Sequence, residues 1–100
     1  MLIHSVFFWL KPGLSPSQRS HFKGEVGKLA AIRTIDRIYV GAPATLLERD
    51  VTERGFDVAL TIVFEDAAAH DAYQVDPIHL AFVDGNRDSW VKVQVFDSEE

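Results

Sequence analysis

Tyr73, Asp76, His79 and His4 are the residues whose types and spacing suit proton chemistry. A histidine near its reference pKa of roughly 6.5 accepts a proton at neutral pH. A tyrosine hydroxyl beside it donates to a developing oxyanion or orients a carbonyl. Tyr73 and His79 bracket the Asp76-Pro77 break, and such a break between two helical pieces turns both side chains toward one cavity. Together they suit enolisation, aldol closure or another proton transfer beside a carbonyl. A second reading stands next to this one. A bare tyrosine and histidine six positions apart is a common pattern, and both also serve as packing residues. His4, in an apolar run, is open to the same two readings: a pocket histidine, or a neutral, hydrogen-bonded core histidine.

Metal and nucleotide chemistry find less support. His4, His79, Asp76 and Asp84 are the groups that could collect a cation, while His21 and His70 fall on expected helices with ordinary surface neighbours. There is no HExxH, no GxGxxG and no P-loop. Without cysteine there is no thiolate chemistry, no disulfide framework and no ordinary structural zinc site. No metal and no cofactor are expected.

These residues need elements to hold them. Leu2 to Lys11 is rich in β-branched and aromatic residues and stops at Pro12-Gly13, as a strand does. Counting by two puts His4, Val6, Phe8 and Leu10 on one face and Ile3, Ser5, Phe7 and Trp9 on the other. Both faces are mostly apolar, which marks a central strand. Ser15-Pro16-Ser17-Gln18 carries the signals of a helix start, with a capping serine, proline at the first position and glutamine three residues on. Phe22, Val26 and Leu29 then recur at helical spacing, and Gly24 and Gly27 suit close packing on a sheet.

Thr34 to Val40 reads as a second strand. Ala44 to Gly55 is a charged, irregular connection. Phe56 to Phe64 alternates as a third strand, with Phe56, Val58, Leu60, Ile62 and Phe64 on one face and Asp57, Ala59, Thr61 and Val63 on the other. A helix runs from Ala67 to about Tyr73, and a shorter one from Pro77 toward Asp84. Gly85-Asn86 reads as a turn. Ser89 to Phe96 is the closing strand, with Val91, Val93 and Val95 opposite Trp90, Lys92, Gln94 and Phe96. Ser98 to Glu100 reads as a solvated end.

The order β-α-β-β-α-β predicts an α+β, ferredoxin-like domain spanning residues 1–100: a four-stranded antiparallel sheet with helices on one face. The other face, with Phe7, Trp9 and Val63, is left bare. Bare apolar surface costs roughly 25 cal/mol per Å², so a second copy packed sheet to sheet, a homodimer, is expected. Apolar residues make up 47% of the chain and the net charge is −5. That balance argues against nucleic acid as a partner. No run approaches the roughly 20 apolar residues that span a bilayer, and the first residues lack a signal peptide's features. A cytoplasmic protein without a membrane partner is the expectation.

Larger stretches then carry a family likeness. They are I-H-S-V-F-F-W-L-K at Ile3 to Lys11, F-D-V-A-L-T-I-V-F-E at Phe56 to Glu65, A-Y-Q-V-D-P-I-H-L-A-F-V-D at Ala72 to Asp84, and W-V-K-V-Q-V-F-D at Trp90 to Asp97. The sequence resembles the stress-responsive α/β-barrel family, Dabb, over nearly its whole length. The resemblance implies a dimeric α+β barrel. Most members have no established activity; a plant polyketide cyclase of the family implies catalytic roles at Tyr73 and His79, and pocket roles at His4, Arg87, Trp90 and Asp97. Asp76 stands where the commoner H-P-x-H segment has its first histidine.

The rest of the pocket wall is expected from Val6, Phe8, Phe22, Leu60, Ile62 and Phe82, around a small apolar or carbonyl ligand. A cavity of roughly 300 Å³ or more beside His79 and Tyr73 is the mark of ligand binding. An open cavity leaves a cyclase- or aldol-type enzyme or a non-catalytic binding module, whereas one filled by Phe8, Phe22, Leu60 and Phe82 favours a purely structural dimer.

Overall fold

Two layers, one sheet and one set of helices, follow from the alternation along the strands. The structure, a computed structural model, describes residues 1–100. In chain order it contains β1 (Leu2–Leu10), α1 (Pro16–Gly27), β2 (Arg37–Gly41), β3 (Val58–Phe64), α2 (Ala67–Val75), α3 (Pro77–Asn86) and β4 (Trp90–Glu99). Single 3₁₀ turns at Lys28–Ala31 and Arg87–Ser89 follow α1 and α3. The strand order is β2-β3-β1-β4, every pair antiparallel, so β1 and β3 are central. This is the ferredoxin-like arrangement.

Burial alternates strictly along β1 and β3. Their inner faces (His4, Val6, Phe8 and Leu10; Val58, Leu60, Ile62 and Phe64) meet Phe22 and Val26 of α1, Tyr73 of α2 and Phe82 of α3 in one core. The start of α1 is secured as its sequence implies. The Gln18 amide donates to Ser15 Oγ at 3.1 Å, and the Ser15 amide donates to Gln18 Oε1 at 2.7 Å.

Several expectations are corrected. Phe56 and Asp57 precede β3 and do not follow its alternation. The Phe56 ring packs on Phe7 and Trp9 of the open face, at centroid distances of 5.1 and 6.4 Å. Asp57 turns toward α1, accepting from the Leu10 amide at 2.7 Å and from Arg19 at 3.1 Å. Gly85 and Asn86 are the last two residues of α3 rather than a turn, and the buried Asn86 side-chain amide donates to the Phe82 carbonyl at 2.9 Å. The strand β2 begins at Arg37, three residues later than its composition suggests. β4 continues through Glu99, where Ser98 and Glu99 pair with Ile3 and Leu2. A bulge also interrupts β4: Trp9 pairs with Lys92, yet Leu10 pairs with Trp90. One extra residue reverses the alternation, so Trp90 leaves the face of Lys92, Gln94 and Phe96 and joins Phe8 and Phe82.

Gly24 and Gly27 do not serve close packing. Both are exposed, and a Cβ at either would meet nothing within 4 Å. Gly24 lies inside α1, where glycine costs about 0.5–1 kcal/mol relative to alanine. Gly24→Ala is therefore expected to stabilise the fold by that amount, read as a higher urea midpoint with an unchanged slope.

Candidate functional site

The geometry of the site begins with the helix break. Asp76 ends α2 and starts α3, and its carboxylate accepts from the Ile78 amide at 2.8 Å. Pro77 follows at the first position of α3, where its missing N–H is harmless. In an unbroken helix the Ile78 amide would donate to the Gln74 carbonyl. Here that carbonyl is left over, one of the unpaired acceptors of a helix end. His79 takes it, with Nδ1 at 3.1 Å from Gln74 O. A carbonyl can only accept, so Nδ1 carries the proton and Nε2 is the lone-pair nitrogen. Asp76 thus acts as a cap in this chain.

The break also brings the Tyr73 and His79 rings to 4.5 Å between centroids. Tyr73 is only 1% exposed. Burial pushes its hydroxyl well above the ordinary tyrosine value, so it stays protonated and acts as a donor. Burial lowers the His79 pKa below 6.5, against the opposing pull of the Gln74 carbonyl. Its imidazole is neutral at pH 7.

On the sheet, the β1–β4 register sets His4 directly opposite Asp97. His4 Nδ1 lies 2.5 Å from Asp97 Oδ1, a short charge-assisted contact. The His4 ring is 5.7 Å from Tyr73 and 5.0 Å from His70. His70 is therefore no ordinary surface residue, since its side chain is only 17% exposed and also packs on Phe64. The signal was present in the spacing: His70 and Tyr73 lie three apart on one helix and share a face.

A cavity of about 210 Å³ opens between sheet and helices. Its wall includes the expected Tyr73, His79, His4, Val6, Phe8, Leu60, Phe82 and Trp90. Leu29, Gln74, Val83, Val93 and Val95 complete it and were missed by sequence reasoning. Val93 and Val95 follow from the β4 register, which pairs them with Phe8 and Val6. Four expected residues stand elsewhere. Phe22 packs behind Phe8 and Phe82. Ile62 is fully buried in the core. Arg87 is exposed in the turn after α3. Asp97 reaches the cavity only through His4. The space is smaller than the roughly 300 Å³ expected, because Phe8, Leu60 and Phe82 fill part of it.

The profile of the stress responsive A/B barrel domain, Dabb, matches residues 2–100. The chain belongs to this family. Solved structures with the Dabb fold agree. A Dabb protein with a ferredoxin-like fold from Mesorhizobium loti is 24% identical, with a TM-score of 0.80 over 99% of this chain and 95% of that one. A dimeric ferredoxin-like protein of unknown function from Thermobifida fusca is 19% identical, with a TM-score of 0.78 over 99% and 90%. A hydroxynitrile lyase from Passiflora edulis is 24% identical, with a TM-score of 0.78 over 97% and 90%. No curated protein matches this Dabb chain in sequence. No helix is long and apolar enough to cross a membrane.

Proposed function

We propose that this chain forms a homodimer whose cavities bind a small carbonyl compound and move a proton on it without a cofactor. The observation that carries the reading is the His79 tautomer. With Nδ1–H committed to the Gln74 carbonyl, the basic nitrogen is Nε2, on a neutral ring beside a protonated tyrosine. Such a pair removes a proton from the carbon next to a carbonyl. Nε2 takes the proton, and the Tyr73 O–H donates to the enolate oxygen that develops. In an aldol closure the enolate carbon then attacks a second carbonyl, and the imidazolium returns its proton to the new alkoxide. His4, held by Asp97, orients the ligand from the sheet side.

The cavity sets the size of the substrate. An apolar space of roughly 150 Å³ admits benzene, so about 210 Å³ suits a single ring or a short β-dicarbonyl rather than an extended polyketide chain. The hydroxynitrile lyase with the same fold is an instance of lyase activity on this scaffold, and a fold alone assigns no activity. A binding module without catalysis is the second reading. A purely structural dimer is the third, and it is the one favoured by the modest volume, which lies below the roughly 300–1,000 Å³ of drug-sized ligand sites because Phe8, Leu60 and Phe82 fill part of the space.

The test is proton exchange. Cyclic and short linear β-dicarbonyls are incubated in D₂O with and without protein, and loss of the α-proton signal is followed by NMR. Exchange faster than in buffer, abolished by a tight-binding analogue, is expected. Ligand binding with no faster exchange would leave the binding module, and neither effect would leave the structural dimer.

A further inference from the structure

His70 plays no part in the proton transfer above, yet it lies among groups that bind metals. His4 on β1, His70 on α2 and Asp97 on β4 each offer one ligating atom, and these atoms all lie within 4.8 Å of one another. Three separate elements thus bring two imidazoles and a carboxylate to one point. We propose that His4, His70 and Asp97 form a divalent-cation site suited to Zn²⁺.

The donor set is the first argument. Imidazole and carboxylate together suit Zn²⁺, Co²⁺ or Ni²⁺ better than Mg²⁺ or Ca²⁺, which prefer oxygen alone. Three protein ligands leave a fourth position for water or a small ligand. Distance is the second argument. A Zn–N bond of about 2.1 Å places tetrahedral donors about 3.4 Å apart. His4 Nδ1 and Asp97 Oδ1, now 2.5 Å apart, need only open slightly as the proton between them is exchanged for the cation. His70 needs to close by little more than an ångström. Its present partners hold it weakly. Asp71 on the same helix is 80% exposed and 3.2 Å away, and Gln74 lies at 3.2 Å. The other two ligands are already fixed by the strand register, so the ordering cost falls on one side chain. This site shares His4 and its partner Asp97 with the proposed function, while the proton-transfer pair, Tyr73 and His79, takes no part in it.

The experiment is calorimetric titration of the full chain with ZnCl₂ at pH 7.5 in a non-chelating buffer. One ion per chain is expected. His70→Ala and Asp97→Asn each weaken binding at least tenfold, while His21→Ala, at an exposed position on α1, leaves it unchanged. Both weakening variants alter partly exposed side chains, and far-UV circular dichroism verifies that they fold. Co²⁺ gives a second readout, a visible absorption band that is lost in His70→Ala. Absence of saturable Zn²⁺ binding in the wild type overturns the proposal. So does wild-type affinity in His70→Ala, or equal weakening by His21→Ala.

Discussion

His79→Ala is expected to lower the rate of α-proton transfer by about 10²- to 10⁴-fold, the usual contribution of a positioned general base. The side chain supplies the basic nitrogen, and nothing nearby replaces it in the same tautomer. His4 has its Nδ1 committed to Asp97, and Tyr73 is held protonated by burial. Binding of a substrate analogue should change far less, since the cavity wall is mainly apolar side chains. A fall in kcat with KM nearly constant is the signature. The pH profile gives a further check. Burial lowers the His79 pKa, so the rate should fall on the acid side with a midpoint below 6.5. The sign for stability follows from the same shift. Between pH 6.5 and the depressed folded value, the unfolded chain binds a proton that the folded chain refuses. Stability is therefore lost as pH falls through that window, and His79→Ala removes this part of the loss. Equal exchange rates in wild type and variant would end the base role.

Elements with strong local signals were legible in the sequence. β1 and β3 declared themselves by alternation, and the Ser15–Gln18 capping box fixed the start of α1. The Asp76-Pro77 break was equally plain. What failed depended on pairing partners that local pattern does not contain. Trp90 changes face because of a bulge against β1. Phe56 crosses to the open face because the ladder has not yet begun there. The site divides in the same way. Tyr73 and His79 share a local break, so their proximity could be read along the chain. The contact of His4 with Asp97 spans 93 positions, and without the family likeness only the register of β1 against β4 reveals it. His70 looked like surface because its neighbours in sequence are polar or small. Its neighbours in space, His4 and Phe64, come from the sheet.

Phe7→Asp is expected to convert the proposed dimer to a monomer. The molecule is a slab of 35 × 32 × 17 Å, and its broad open face is ample for the roughly 800 Å² per partner of a stable interface. At the centre of that face Phe7 packs edge-on against Phe56 and Phe96, at 5.1 and 6.2 Å, and Phe96 is 57% exposed in the single chain. Ser5, Thr61 and Gln94 are its uncharged polar neighbours on the sheet, and Glu53 is the charged residue that lines the same hollow. An aspartate buried there shares the hollow with the Glu53 carboxylate and loses roughly 3–5 kcal/mol, or about two to four orders of magnitude in dimer affinity. Trp9→Asp should act in the same direction but less strongly. Lys92 Nζ lies 4.4 Å from the centre of the Trp9 ring, and it would partly neutralise an aspartate at that position. The order of the two variants separates a buried interface from a loss of folding, which would not depend on the distance to Lys92. Sedimentation velocity at micromolar concentration reads the masses, and thermal melts show whether each monomer stays folded. A wild-type chain that sediments as a monomer would refute the sheet-to-sheet dimer, as would an unchanged dimer mass in folded Phe7→Asp.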